Sequence, residues 1–433
     1  MAYLKQFQKG LINNFGDSAT EPPFPKSDFP IFSNNNGLIW LDNGATTHKP
    51  KVMIDSIKNY YEKYNSNIHR SPHRLSMISS DMFDETRRLT AEYIGCDAKE
   101  IIFVRGTTEG INLLANSINF MKLCGLDVMS EIPIKSRYTV LISIVEHHSN
   151  IIPWQLLHKK GLINLEYLTY DKVNNRINLE DLEAAFVRNP TIKVVSITHV
   201  SNVLGIINPI KEMTEIAHKH GARIIIDGAQ NHSRISMKDI GCDAYVFSAH
   251  KLFGPFGVGV LFVKEDMYQY LDIYQSGGSM IKDVTMYDSS FQNGYAKHEA
   301  GTPSVADIIA FGETIKYLSS KNWTKIEIYK KMLTEHLYKK LKEIPGIVIL
   351  GDTVIGKVPI YSFIIENIDD AALLRELDEK NISCRWGHHC SQIIIRHFGY
   401  ENCYRVSLAP YNTITEIDYF MSVVKNFIKK NNN

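Results

Sequence analysis

The segment Asp243–Gly259, DAYVFSAHKLFGPFGVG, delivers Ser248, His250 and Lys251 to the end of an apolar strand, ahead of Gly254, Gly257 and Gly259. A lysine at a strand end can form a Schiff base with an aldehyde cofactor, and the adjacent hydroxyl and imidazole can hold a phosphate. A solvated lysine would look the same by itself. Upstream, Asp227 closes the strand of RIIIDGAQ. A carboxylate at the tip of a buried strand needs a cationic partner, and a protonated ring nitrogen would serve; a helix-capping Asp is the competing reading. In RGTTEG, Arg105–Gly110 joins a strand to a helix, so its backbone N–H groups and the hydroxyls of Thr107 and Thr108 suit a phosphate at a helix N-terminus. A plain capped turn has the same sequence. His147 in VEHHSN can stack on a planar ring or exchange protons, although a lone His at a strand end is more often structural. Asn202 can donate to a phenolate oxygen. Cys390 closes RWGHHC, where His388 and His389 favour a thiolate and Gly387 frees the backbone. A buried structural Cys or a metal-binding HHC triplet competes with that reading. Adjacent ligands lack the spaced pairs of a structural zinc site, so no metal is expected.

Seven short β-branched segments must position these groups: Ile101–Val104, Thr139–Val145, Leu165–Thr169, Val194–Val200, Arg223–Asp227, Ala244–Ser248 and Val258–Val263. Their near-continuous apolar character, with helix-length intervals between most of them, predicts a largely parallel sheet buried on both faces. The last two lie too close for a crossover helix, which predicts an antiparallel exception there. After Pro303 helices dominate. One amphipathic helix runs through Ile326, Tyr329, Leu333, Leu337, Leu341 and Ile344, Val358–Glu366 reads as a strand, and Thr415 is the expected cap of a final helix. The expected division is an N-terminal arm over 1–35 that contributes to the small domain, a large domain over 36–305, and a small α/β domain over 306–433 carrying the cysteine loop.

The chain has 433 residues, against ~150 for a typical domain, which fits this two-domain layout. Its 48 Lys+Arg and 47 Asp+Glu nearly cancel, so no broad field attracts nucleic acid or anionic lipid. Neither a signal-peptide core nor a membrane-length apolar run is visible. Six cysteines without CxxC spacing are too sparse for a disulfide scaffold and predict a reducing, cytoplasmic compartment.

Read together, the segments LDNGATTHKP, NIHRSPHRLS, RGTTEGINLLANS, VEHHSNIIPW, THVSNVLGIINPI, IIDGAQ, FSAHKLFGPFGVG, GGSMI, EAGTPS, RWGHHC and YRVSLAPYNT resemble the class V aminotransferase family, and within it the SUF-type cysteine desulfurases. The resemblance covers roughly residues 38–425. It implies the fold type I architecture of pyridoxal-phosphate-dependent transferases, a mostly parallel seven-stranded large domain with a smaller α/β domain. It further implies that Lys251 bonds pyridoxal 5'-phosphate, Asp227 pairs with the ring nitrogen, His147 stacks on the ring, and Asn202 and Gln230 contact its phenolic side. Thr107, Thr108, Ser248 and His250 would bind the phosphate, joined by Gly301 and Thr302 from the other subunit of a homodimer. Arg405 would clamp the substrate carboxylate, with Arg385, Asn43 and His69 as further substrate-side candidates. The implied catalytic set is Lys251, His147 and Cys390, which convert L-cysteine to L-alanine and leave a persulfide on Cys390 for a sulfur-acceptor protein, such as a SUF-system acceptor, in iron–sulfur cluster assembly.

The alternatives are a related selenocysteine or C–S lyase, a specialised amino-acid enzyme, or a noncatalytic sulfur-relay subunit. Three departures from the family pattern bear on them. Trp386 replaces a small residue, which would narrow the entrance or alter a docking surface. Phe120–Tyr138 is long enough for an added surface loop. Gly44 replaces an Ala, which predicts a looser hold on Asn43.

Overall fold

The computed structural model describes residues 21–69, 71–123 and 138–431. A two-residue strand, β1 (Ile39–Trp40), precedes seven strands of one sheet: β2 (Ile101–Val104), β3 (Thr139–Ser143), β4 (Asn164–Leu168), β5 (Ile192–Thr198), β6 (Arg223–Asp227), β7 (Ala244–Ser248) and β8 (Gly259–Val263). They lie in the order β2-β8-β7-β6-β5-β3-β4. All seven expected strands are present. The antiparallel exception falls on β8, which runs against both β7 and β2, while the other neighbours are parallel.

Successive residues of these strands alternate between two apolar layers. Ile101, Phe103, Ile224, Ile226 and Phe247 enter one; Ile102, Val104, Ile225, Ala244 and Val246 enter the other. With both faces covered, runs such as RIIID and AYVFS are apolar throughout instead of alternating with polar residues. Where β8 begins, a Cβ on Gly259 would lie 2.5 Å from the Gly106 Cα, so glycine is required for the turn before helix Thr107–Ser117 to pack there.

The hairpin β9 (Ile281–Val284) and β10 (Ser289–Phe291) leads into a second, antiparallel sheet. Its strands β11 (Ile347–Leu350), β12 (Ile360–Ile365), β14 (Arg385–Gly387) and β15 (Cys403–Ser407) lie in the order β11-β12-β15-β14. Strand β13 (Ile382–Ser383) pairs in parallel with β1. Only β12 was expected as a strand from the apolar pattern; the others are short, and β14 is a mostly exposed edge with no alternation to read. Helices Trp323–Lys342 and Ile414–Asn431 cover this sheet, placing Leu333, Leu337, Phe420 and Val424 against Phe363 and Val406. The final helix is capped by Thr413, not by the expected Thr415. Thr413 Oγ1 accepts the Glu416 N–H (3.2 Å) while Glu416 Oε2 accepts the Thr413 N–H (2.9 Å), a reciprocal capping box that starts the helix at Ile414.

Of the N-terminal arm, residues 1–20 lie outside the described residues. Phe24 and Phe29 beyond them are fully buried, with ring centroids 5.0 and 6.1 Å from that of Phe253, close along the chain to Lys251. Within the expected added loop, Phe120–Leu123 is helical and 124–137 lie outside the described residues. Among the described residues no helix is long and apolar enough to cross a membrane.

Candidate active site

In open α/β sheets the crevice beyond the carboxyl ends of the strands collects functional groups from successive loops. Here β2 leads to Thr107 and Thr108, β3 to His147, β5 to Asn202, β6 ends on Asp227, and β7 ends on Ser248 just before His250 and Lys251. All of these, with Gln230, Arg385, Cys390 and Arg405, line one cavity of about 510 Å³. The structure thus gathers twelve of the sixteen predicted site residues in one place.

Lys251 follows β7 on a 3₁₀ turn. Burial pulls its pKa from 10.5 down to about 8 against the opposing pull of Asp227, which makes the neutral amine accessible near physiological pH. The Asp227 carboxylate accepts the Ala229 N–H (2.9 Å), and burial pushes its pKa up. A protonated ring nitrogen set against it would add to the opposite charge that Lys251 supplies. Burial, then the neighbouring Lys251, holds His147 near pKa 3, so its imidazole is neutral. Its Nδ1 accepts the Ser149 N–H at 3.1 Å, which leaves the proton on Nε2.

At the start of helix Thr107–Ser117, Ser248 Oγ accepts the Thr107 N–H (2.8 Å) and lies 2.9 Å from Thr107 Oγ1. Thr108 Oγ1 meets Ser149 Oγ at 2.7 Å, and the His250 ring lies 5.0 Å from that of Phe256 in a stacked arrangement. Hydroxyls, an imidazole and a helix N-terminus beside a buried lysine form a donor set suited to a phosphorylated aldehyde.

At the other end of the cavity Arg405 is almost completely buried. Its Nη2 meets Asp42 Oδ1 at 3.0 Å, its Nη1 donates to the Asn202 carbonyl at 3.1 Å, and its Nε is buried without an acceptor. Asn202 Nδ2 donates to the His389 carbonyl (2.8 Å), so in this structure that amide supports the cysteine loop. Gln230 Nε2 donates to the Gly44 carbonyl at 2.7 Å, while its Oε1 is buried and unpartnered. Cys390 is exposed. It and His389 adopt left-handed backbone conformations, φ 55° and 50°, and its carbonyl accepts the His148 N–H at 2.7 Å. The His388 Nδ1 accepts the Cys390 N–H at 3.1 Å.

Four predicted residues stand apart from the cavity. Asn43 is fully buried, donating to the Ser407 carbonyl at 2.7 Å and accepting from the Tyr411 hydroxyl; the expected loosening beside Gly44 does not occur, because these bonds hold its side chain directly. His69, Gly301 and Thr302 are exposed and share a different groove of about 170 Å³. Trp386 is 39% exposed, registers with Tyr404 across β14 and β15, and does not line the cavity, so it does not narrow the space around Lys251. Two buried carboxylates behind cavity-lining residues have no part in the sequence reading. Asp42 is a buried carboxylate in LDNGAT that holds two arginines. Glu146, fully buried next to His147, accepts from Ser143 Oγ (2.5 Å) and Asn150 Nδ2 (2.7 Å), and burial raises its pKa to about 8. The signal for both was the one applied to Asp227, a carboxylate in an apolar setting. Among the described residues no group of three or more His, Cys, Asp or Glu side chains could hold a metal ion.

This architecture sets the candidate site at the carboxyl ends of a mostly parallel α/β sheet, and comparison with known proteins gives the family. The model of the aminotransferase class-V family matches residues 39–420, and the chain belongs to that family. A cysteine desulfurase of Synechococcus elongatus is 37% identical over 92% of this chain and 62% of its own length. A probable cysteine desulfurase of Halalkalibacterium halodurans is 37% identical over 91% of this chain and 94% of its own. The chain spans 57% of a probable cysteine desulfurase of Mycolicibacterium paratuberculosis, to which it is 38% identical. Among solved structures, the apo cysteine desulfurase of Thermococcus onnurineus NA1 superposes with a TM-score of 0.85 at 29% identity, covering 94% of this chain and 97% of that one. The fold is accordingly type I of the pyridoxal-phosphate transferases, as the sequence motifs implied.

Proposed function

We propose that this chain is a pyridoxal-phosphate-dependent cysteine desulfurase that converts L-cysteine to L-alanine and receives the sulfur on Cys390. The observation that carries the reading is the meeting of Lys251, Asp227, Arg405 and an exposed Cys390 in one cavity. The donor set fits the cofactor: Lys251 for its aldehyde, Asp227 for its ring nitrogen, His147 for the ring face, Asn202 and Gln230 for the phenolic side, and Thr107, Thr108, Ser248 and His250 for its phosphate. Once bound, pyridoxal phosphate supplies an electron sink for charge developing at the substrate α-carbon.

The remaining work falls to side chains. Arg405, with Arg385 beside it, fixes the substrate carboxylate through a guanidinium fork. The Lys251 amine moves the α-proton. His147, neutral with its proton on Nε2, is oriented by Ser149 to donate a hydrogen bond toward the substrate sulfur. The Cys390 thiolate then attacks the substrate sulfur: the Sγ–Sγ bond forms, the substrate Cβ–Sγ bond breaks, and the carbon skeleton is protonated to alanine.

Gly301 and Thr302, exposed and outside the cavity that holds Lys251, support a homodimer in which they reach the partner's phosphate site. The domain reading is an arm over 1–35, a cofactor domain over 36–305 and a small domain over 306–433. The sulfur passes to an acceptor protein for cluster assembly. Free cysteines at all five described positions support a reducing compartment, the cytoplasm. Purified, cofactor-loaded protein given L-cysteine should release L-alanine, and Cys390→Ser should lose nearly all of that release while still binding cofactor. Undiminished alanine from the Cys390→Ser variant would contradict the reading.

A further inference from the structure

Arg385 and Arg405 are direct register partners across β14 and β15. Like charges directly opposite on antiparallel strands repel. Asp42 resolves the conflict by dividing its carboxylate: Oδ1 meets Arg405 Nη2 at 3.0 Å, and Oδ2 meets Arg385 Nε at 2.9 Å and Nη2 at 2.8 Å. Asp42 itself is fixed beside β15, through its bridge to Ser407 and the Ser407 N–H donated to the Leu41 carbonyl at 2.8 Å. The two arginines differ in freedom, since the Arg405 side chain is 3% exposed and that of Arg385 50%. Arg385 also opens the edge strand that runs directly into His388, His389 and Cys390.

The triad of one carboxylate and two guanidiniums carries one net positive charge, which one incoming carboxylate neutralises. That carboxylate has an unpartnered donor waiting at Arg405 Nε. A bond to Arg405 Nη2, or to Arg385 Nε or Nη2, competes with Asp42.

We propose that Asp42 is a positioning residue that couples occupancy of the carboxylate site to release of the Cys390 loop. In the free protein Asp42 holds Arg385, and with it the start of β14. A substrate carboxylate seated on Arg405 draws the guanidiniums away from Asp42, loosens the edge strand, and frees the loop to bring the thiol to the substrate sulfur. The proposal rests on the desulfurase reading for its purpose, but its test requires no sulfur transfer.

The test is hydrogen–deuterium exchange of cofactor-loaded protein with and without L-alanine, an amino acid that carries the carboxylate and lacks the thiol. Exchange across 385–390 should rise roughly tenfold on binding, the scale expected for breaking a charge-paired contact. L-alaninamide, which has no carboxylate, should leave it unchanged. Asp42→Asn should exchange fast from the outset and show no response. Arg385→Gln, which keeps the buried Asp42–Arg405 pair and guards against misfolding of the first variant, should behave the same way. For L-cysteine turnover, Asp42→Asn should lower KM without lowering kcat, because a competitor of the substrate carboxylate has been removed and the loop is already released. A merely structural Asp42 would raise KM and lower kcat together. Slowed or unchanged exchange across 385–390 on L-alanine binding, or a response that survives in both variants, would overturn the proposal. If wild-type protein makes alanine and persulfide while exchange fails to respond, the coupling is wrong and the desulfurase reading stands. If exchange responds but Cys390 takes no sulfur, the reverse holds.

Discussion

Lys251 is the residue in which burial most directly becomes reactivity. An ordinary lysine amine is almost wholly protonated at pH 7 and cannot attack an aldehyde. Burial at the end of β7 lowers its pKa to about 8, so the neutral fraction rises through pH 8 instead of through 10.5. Reductive trapping of Lys251 with an aldehyde in the cofactor-free protein should therefore follow an apparent pKa near 8. Replacing Asp227 with Asn removes the charge that opposes this depression, so the apparent pKa should fall further; a value at or above the wild-type one would show that Asp227 does not act on the amine. Arg405 and Asn202 show the same logic in polar form: the Arg405 guanidinium and the Asn202 amide are each fixed by a bond made across the junction of the two sheets.

At the scale of elements, the site depends on how closely β8 and the Thr107 turn approach. A Cβ on Gly259 would stand 2.5 Å from the Gly106 Cα and 2.7 Å from its N. Gly259→Ala should cost about 1–3 kcal/mol through overpacking and weaken cofactor retention by shifting the Thr107 N–H away from Ser248. Thermal unfolding of the cofactor-free variant separates the two effects, and wild-type stability together with wild-type cofactor retention would contradict this account of the turn. The large sheet was legible in the sequence because each of its strands is an apolar run closed by turn residues, and the clustering of Thr107, His147, Asn202, Asp227, Ser248 and Lys251 was legible because they end or follow those runs. The small sheet was mostly hidden. RWG in β14 has no periodicity, and its pairing with β15 is specified by tertiary contact. Asp42 sits in an apolar run, but its pairing with Arg385 and Arg405 arises only once the segment after β1 bridges β15 at Ser407. The cap falls on Thr413 instead of Thr415 because only the folded chain sets a threonine opposite Glu416.

At the scale of the whole molecule, the proposed homodimer would complete each site with residues of a second chain. His69, Gly301 and Thr302 share a groove apart from Lys251, and the dimer reading sends Gly301 and Thr302 to the partner's phosphate. Thr302→Glu should abolish activity by setting a negative charge against that phosphate. An equal mixture of Lys251→Ala and Thr302→Glu chains, allowed to exchange subunits, should regain roughly a quarter of wild-type activity, because half the dimers are mixed and each holds one intact site. No recovery despite proven exchange would place Thr302 in its own chain's site. The claim on which the function rests is nevertheless local to Cys390, and mass spectrometry of cofactor-loaded wild-type protein after brief exposure to L-cysteine tests it most directly. The account predicts a one-sulfur mass increase on the peptide containing Cys390, absent from Lys251→Ala. A persulfide found only on another cysteine, with Cys390 dispensable for alanine release, would contradict it.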